Sequence, residues 1–245
     1  KLWRFGLIAI FIMGMLASIF SGTRGSWLAL PLLVAAYFIY LIFTKRIRTK
    51  HLFSGLAACC VVVVILYSTP QLRIGERVRT AYDEVLLYKK EGAAYTSVGS
   101  RLQMWEFAWD LYKKKPIFGW TYKGYVAEQE TAILNKKMDS MMHGFQHPHQ
   151  ELLNAAAKTG TFGLIAILQI YIIPFFVFMH RFKNNINCSK SRSVCSAGML
   201  MPIAFFGFGL ADSIIAHTTP FTLYCYMLAM LWAASLAFDN SSRAQ

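Results

Sequence analysis

Residues 159–179 read TGTFGLIAILQIYIIPFFVFM, from Thr159 to Met179, without one charged side chain. At about 1.5 Å per residue such a run reaches roughly 30 Å as a helix, the thickness of a bilayer's hydrocarbon core. Gly160, Gly163 and Pro174 do not veto a span here, because membrane helices tolerate both residue types. Similar runs lie on either side. Nineteen uncharged residues separate Arg4 from Arg24, twenty separate Arg24 from Lys45, and twenty-one run from Leu52 to Leu72. Two more candidate spans, 194–216, which includes Asp212, and 218–238, follow. The expected fold is all-α: a polytopic membrane protein of about six transmembrane helices. Three fall in 1–72, a large polar loop fills 73–158, and three more with a short tail fill 159–245.

Composition supports this and excludes the alternatives. Hydrophobic residues make up 56% of the 245-residue chain and charged residues 15%, where a soluble domain is nearer a quarter charged. Mean hydropathy is +0.41. Disorder requires low hydrophobicity and is excluded. A disulfide-stapled secreted domain is excluded as well: Cys59, Cys60 and Cys225 lie in apolar runs, and Cys188 and Cys195 flank a basic turn. Twenty-five Lys and Arg against twelve Asp and Glu leave a net charge of +13. No helix-turn-helix, zinc or RNA-binding motif accompanies that charge, so nucleic acid is not the expected partner. The sequence, beginning at Lys1, reads as the C-terminal part of a longer membrane protein.

The basic residues set an orientation instead. Lys45, Arg46, Arg48 and Lys50 crowd the turn after the second span, and Arg181, Lys183, Lys190 and Arg192 the turn after the fourth. Both turns are expected in the cytoplasm, together with Lys1, Arg4 and the tail from Asp239. Residues 22–25, the segment 73–158 and the turn 217–220 then face the other side. Within 73–158 two amphipathic helices are legible. One covers roughly 76–91, with Val78, Tyr82, Val85 and Leu86 on a face. The other covers roughly 101–115, with Leu102, Trp105, Ala108, Trp109 and Tyr112 at helical spacing and Pro116 as its end. The Trp-rich face beside Lys113, Lys114 and Lys115 suits a helix in the headgroup layer.

Four features could carry chemistry. Arg24 sits between two spans in Ser-Gly-Thr-Arg-Gly-Ser. An arginine at that depth binds an anion or anchors a helix end, and its place outside the cytoplasm argues against the plain anchor. Arg101 is expected in the first turn of the second amphipathic helix, with Ser100 as N-cap. That is either an anion site or a solvated surface residue. His143, His147 and His149 cluster just before the fourth span. Their spacing departs from the usual zinc patterns, and a general base or a polar interfacial cap is the other reading. Asp212 falls in the fifth span, where a carboxylate pairs with a cation such as Arg24 or Arg101, or serves structure alone. On an outer face without ATP, arginines and a histidine suit a lipid-linked pyrophosphate. Arginine binds phosphate bidentately and offsets charge on the leaving group.

The pattern His149-Gln150, nine residues, Gly160, two residues, Gly163 resembles the signature of the O-antigen ligases: His, then Asn, Ser or Gln, nine residues, Gly, two residues, and Gly, Thr or Tyr. Three other stretches are similar to that family in the same order. They are Thr23-Arg24 before Leu28-Ala-Leu-Pro31; Gly99-Ser-Arg101-Leu-Gln-Met-Trp105 with Lys115-Pro116; and Gly209-Leu-Ala-Asp212-Ser-Ile-Ile215. The resemblance covers about 10–240. It implies the C-terminal half of a GT-C-type glycosyltransferase in the bacterial inner membrane, with its site facing the periplasm and no metal, ATP or other cofactor. The donor would be O-antigen polysaccharide on undecaprenyl pyrophosphate and the acceptor lipid A–core oligosaccharide, with inversion in one displacement. By the resemblance His149 is the catalytic histidine and Arg24 and Arg101 the essential arginines. His147, Gln150 and Asp212 are further substrate-binding candidates. O-antigen polymerases and O-oligosaccharyltransferases share much of the pattern and are the same-class alternatives. A transporter for the same lipid is the alternative of another class, and a structural assembly partner is a third.

Overall fold

The computed structural model describes residues 73–184 and 188–243 continuously, with isolated positions between Met13 and Thr69 and side chains as far as Asn240. Most of the first three spans, and Arg24, lie outside the described residues. The described residues form helices and connecting turns, with no strand among them.

Six long helices follow in chain order: α1 (Ile74–Glu91), α2 (Ser97–Lys114), α3 (Thr121–Leu134), α4 (Glu151–Asn184), α5 (Ser189–Gly209) and α6 (Thr218–Arg243). Short 3-10 turns at Ser140–Met142 and Ile214–Ala216 precede α4 and α6. Among the described residues, three helices are long and apolar enough to cross a membrane: α4, α5 and residues Thr218–Asn240 of α6. This is a membrane protein. Phe162, Ile165, Ile173 and Phe176 project from α4 with about half of their surface uncovered, as lipid-facing side chains do. Between helices the packing is close. Gly198 of α5 meets the Phe178 ring, so that a Cβ there would lie 2.4 Å from the ring. Phe178, Phe182, Cys195 and Met199 form the buried seam around that contact.

The amphipathic helices appear as expected, with three corrections. Helix α2 begins four residues earlier than read, and its N-cap is Thr96, not Ser100. The Thr96 hydroxyl accepts from the Gly99 N–H at 3.0 Å. Arg101 is therefore in the second turn, and the Val98 N–H is already given to Glu84 at 2.8 Å. The helix start is not a free anion site. The face of α2 read as membrane-facing turns mostly inward. Ala108 is fully buried, Trp105 partly, and only Trp109 is exposed. Finally, the fifth span ends at Gly209, so Asp212 lies beyond it in the turn before α6, not within it. Helix α3 has little amphipathic pattern and was not legible. It anchors through Tyr125, buried with Ala108, Leu111 and Ala157 between α2 and α4.

Candidate functional site

The site forms where the histidine loop, the start of α4 and the turn after α5 meet. His149 has φ +50, a left-handed conformation that non-glycine residues visit rarely and that histidine tolerates better than most. Such a residue persists only where its surroundings hold it. Here they do. Pro148 is buried, and its carbonyl accepts from Trp105 Nε1 at 2.8 Å. Lys158 Nζ donates to the Gln146 carbonyl at 2.7 Å, and Tyr122 of α3 donates to the Gln146 side chain. Arg101 lies one turn before Trp105 on α2, hence on the same helical face, and makes no ion pair among the described residues.

Gln150 immediately precedes α4. Its Oε1 accepts the N–H of Leu153, three residues on, and its carbonyl accepts that of Asn154 at 2.9 Å. This is an N-cap, which satisfies amides that the first turn leaves open. That bond gives the oxygen of Gln150 a structural role at the start of the helix.

The motif's glycines are also explained. Gly160 has φ +67 and ψ −160 and kinks α4. A Cβ there would stand 2.2 Å from the Ile117 carbonyl. Through this gap the turn after α2 is laced to α4: Thr161 N–H reaches Pro116 O at 2.7 Å and Trp120 N–H reaches Ala157 O at 2.9 Å. Gly163 makes room for the Thr159 side chain. The spacing from His149 to Gly163 therefore fixes where the histidine stands relative to α2.

Asp212 enters from the opposite side. Its Oδ1 accepts the Ser213 N–H at 2.8 Å and lies 3.1 Å from His149 Nδ1. The same oxygen is 3.8 Å from His147 Nε2 and 4.0 Å from His217 Nε2. The bond from His149, then that from Ser213, hold its carboxyl at about 2, below the usual carboxylate range and against burial. Burial, with His149 beside it, pushes His147 down to about 4 despite Asp212. Asp212 is thus ionised and His147 neutral at physiological pH. An ionised carboxylate can only accept, so His149 presents Nδ1–H to it, the tautomer whose neutral ring has its lone pair on Nε2. The His147 and His149 rings stand 4.5 Å apart, and the Nε2 of His147 is buried without a hydrogen-bond partner. The ligand-type atoms of His147, His149 and Asp212 all lie within 4.8 Å of one another.

Two further residues position this arrangement. Glu151, almost fully buried as the first residue of α4, accepts the Ile215 N–H at 2.7 Å and so ties the Asp212 turn to the histidine loop. His217 stacks edge-on against His147 at 5.2 Å. Neither was singled out in the sequence. His217 lies 68 residues from His149, and only the fold brings them together. Of the residues read as site candidates, the structure gathers His147, His149 and Asp212, with Gln150 capping the helix behind them. Arg101 is on the adjoining helix. His143 is exposed.

A family model described as O-antigen ligase matches residues 8–168. The chain belongs to the O-antigen ligase family. The matched part takes in Arg24, Arg101, His147, His149 and Gln150 and stops short of Asp212. Among curated relatives, the chain is 28% identical to an uncharacterized protein of Haemophilus influenzae over 88% of its length and 53% of that protein's. It is 23% identical to an O-antigen ligase of Escherichia coli K12 over 85% of its length and 47% of the ligase's. The chain spans about half the length of the curated relatives it matches.

Proposed function

We propose that this chain carries the transfer site of a lipopolysaccharide O-antigen ligase. It moves polysaccharide from undecaprenyl pyrophosphate onto lipid A–core at the periplasmic face of the bacterial inner membrane. The observation that carries the reading is the His149–Asp212 pair, 3.1 Å apart, in a loop that holds His149 in a left-handed conformation. In this reading His149 Nε2 takes the proton of the acceptor hydroxyl. The hydroxyl oxygen bonds to the anomeric carbon, and the bond from that carbon to the pyrophosphate oxygen breaks. The configuration inverts, and undecaprenyl pyrophosphate leaves with the electron pair. Asp212 keeps the tautomer and orientation of His149 and offsets the imidazolium charge that forms.

Arg101 and Arg24 take the pyrophosphate, for which guanidinium groups are suited. Arg101 follows from its place one turn from Trp105, whose indole grips the loop between the two histidines. Arg24 follows from the family pattern. Ala29, five residues on, is buried against Gly207 of α5, close in sequence to Asp212. His147 lines the same space. Gln150 acts by capping α4 rather than by touching substrate. The wider architecture proposed is GT-C-like. Residues 1–72 contribute three spans, 73–158 a periplasmic domain of helices, and 159–245 three spans and a cytoplasmic tail.

The test is the intact protein carrying His149→Ala as the sole copy in a ligase-deletion strain, with expression verified. The expected result is core-only lipopolysaccharide with polymer accumulated on the carrier lipid. A normal O-antigen ladder removes His149 from catalysis. A single capped repeat unit favours polymerase, the second reading that the shared motif allows.

A further inference from the structure

We propose that His147, His149 and Asp212 form a binding site for a zinc-class divalent cation, and that filling it switches His149 off. The second half rests on the reading of His149 as the base; the first does not.

The donor set is two imidazoles and one carboxylate, a borderline combination that suits Zn²⁺, Co²⁺, Ni²⁺ or Cu²⁺ over Mg²⁺ or Ca²⁺. The geometry is close to what such an ion needs. Ligands at about 2.0–2.1 Å in a tetrahedron stand roughly 3.3 Å from one another. Asp212 Oδ1 is 3.1 Å from His149 Nδ1 and 3.8 Å from His147 Nε2, and the widest separation in the set is within 4.8 Å. Small side-chain rotations close those gaps. His217 Nε2, 4.0 Å from the same oxygen and on a half-exposed ring, stands at the open side where a fourth ligand or water belongs.

Three features indicate more than chance proximity. The Nε2 of His147 is buried with no hydrogen-bond partner, and a buried polar atom left unpaired calls for an explanation. Metal ligation gives it one, because it stands 3.8 Å from the carboxylate oxygen that would share the ion. Second, a third imidazole gathers at the same carboxylate: His217 packs edge-on against His147 at 5.2 Å, with its Nε2 4.0 Å from Asp212 Oδ1. Third, the supporting bonds are in place. Ser213 N–H holds Asp212, and Trp105 holds the Pro148 carbonyl between the two histidines. Such outer contacts fix ligand orientation.

The consequence for His149 follows from its tautomer. In the neutral, metal-free ring the bond to Asp212 puts the proton on Nδ1 and the lone pair on Nε2. A metal on Nδ1 leaves the single proton of the neutral ring on Nε2. The atom that would take the acceptor's proton is then already protonated, and two positive charges sit beside it. Transfer stops, and resumes when the ion is removed.

The test uses the intact protein in detergent, stripped with chelator and titrated with ZnCl₂, with CoCl₂ as a spectroscopic probe. The expected result is one ion per chain and the intense visible bands of four-coordinate cobalt. His147→Gln should weaken zinc binding at least tenfold and His217→Gln less. His147→Cys should retain the ion and add a sulfur-to-cobalt charge-transfer band, which keeps the test readable if one variant folds poorly. Each protein's transfer rate in zinc is compared with its own rate in chelator, and half-inhibition should track the measured Kd. Zinc binding no tighter than in a His147→Gln/His217→Gln double variant, or a pale six-coordinate cobalt spectrum, overturns the site. Stoichiometric binding without inhibition upholds the site, and overturns both the switch and the reading of His149 as base.

Discussion

At the C-terminal end of α4, Arg181 donates through Nη2 to Asp239 at 3.0 Å and to the Ser235 carbonyl at 3.3 Å. Its guanidinium also lies 5.1 Å from the Trp232 ring centre. Every one of these partners belongs to α6. At the N-terminal end of α4, the carboxylate of Asp212 faces not one strong base but three histidines, at 3.1, 3.8 and 4.0 Å. Both ends pair a carboxylate with nitrogen bases over a similar distance. At the Arg181 end the charges are permanent, both side chains are more than four-fifths buried, and the pair stitches two helices. At the Asp212 end the bases are weak and titratable, the carboxylate is half-exposed, and one ring nitrogen is left unpaired. A pair that only holds structure is closed. A cluster that can accept protons or ions is open on one side and leaves some of its hydrogen-bonding capacity unused.

Crossed substitutions give the sharpest break of that comparison. His149→Ala should cost a factor of about 10²–10⁴ in transfer, the usual worth of a positioned base, with the thermal unfolding midpoint close to wild type. Arg181→Ala should do the reverse. Leaving Asp239 buried without its partner costs on the order of 3–5 kcal/mol, while the folded fraction keeps its rate per molecule. Calorimetry or fluorescence melting in detergent, alongside ligation of purified donor to acceptor, separates the two. If Arg181→Ala removes activity from protein that melts normally, the structural assignment of that end fails.

Asp212→Asn is the next largest effect. Asn keeps the shape but offers either an amide N–H or a neutral oxygen, so it no longer enforces Nδ1–H on His149. The expected loss is about tenfold to a hundredfold in kcat with little change in KM. This is smaller than for the fully buried aspartate of a serine protease triad, because Asp212 is half-exposed. A loss confined to KM would mean that Asp212 holds substrate instead.

Gln150 sharpens the comparison at lower energy. Replacing an N-cap with alanine costs about 1 kcal/mol. Gln150→Ala should therefore lower the melting midpoint slightly, and Gln150→Asn or Gln150→Ser should restore it. If the oxygen bound substrate rather than the helix, the three variants would differ in KM and not in melting.

What the sequence revealed followed physical range. The apolar runs of α4, α5 and α6 were legible because bilayer thickness sets a length that any reader can count. Helix α1 was legible from its spacing, and α2 nearly so. The start of α2 was misread because Thr96 and Ser100 are both capping types, and only the contact of Thr96 with Gly99 decides between them. Helix α3 escaped because its buried residues, Tyr125 and Gln129, repeat once only. In the site, His149 and its glycines were legible as a local pattern. The partner of Asp212 was not, since sequence separation carries no distance. Arg24 and Arg101 were the expected partners if Asp212 paired with a cation; Arg24 lies outside the described residues, and among those described the neighbours are the histidines 63 and 65 positions earlier. Glu151 passed unnoticed because a first-turn acid is ordinary at a helix start. Only its burial and its bond to Ile215 give it a role.

The smallest expected effect is on pH dependence, and it tests whether the histidine end is as open as described. His147 titrates near 4 in the folded protein, against an ordinary value near 6.5. Between those values the unfolded chain binds a proton that the folded chain refuses. Stability is therefore unaffected by this group above about pH 6.5 and declines as pH falls from there toward 4. Asp212 acts in a lower window. With its carboxyl held at about 2 against an ordinary 3.8, its contribution is complete above 3.8 and is lost only on further acidification. A melting series from pH 7 to pH 4.5 should thus fall in the wild type and fall less in His147→Gln, with His149, His217 and Lys158 left in place as neighbours of the changed ring. The Arg181 end supplies the control: a guanidinium does not titrate in this range, and Arg181→Met/Asp239→Asn, which removes both charges and leaves no unpaired buried carboxyl to titrate, should shift the whole curve without changing its slope. Equal slopes in wild type and His147→Gln would mean that His147 takes up its proton in place, and that the loop has room to solvate it.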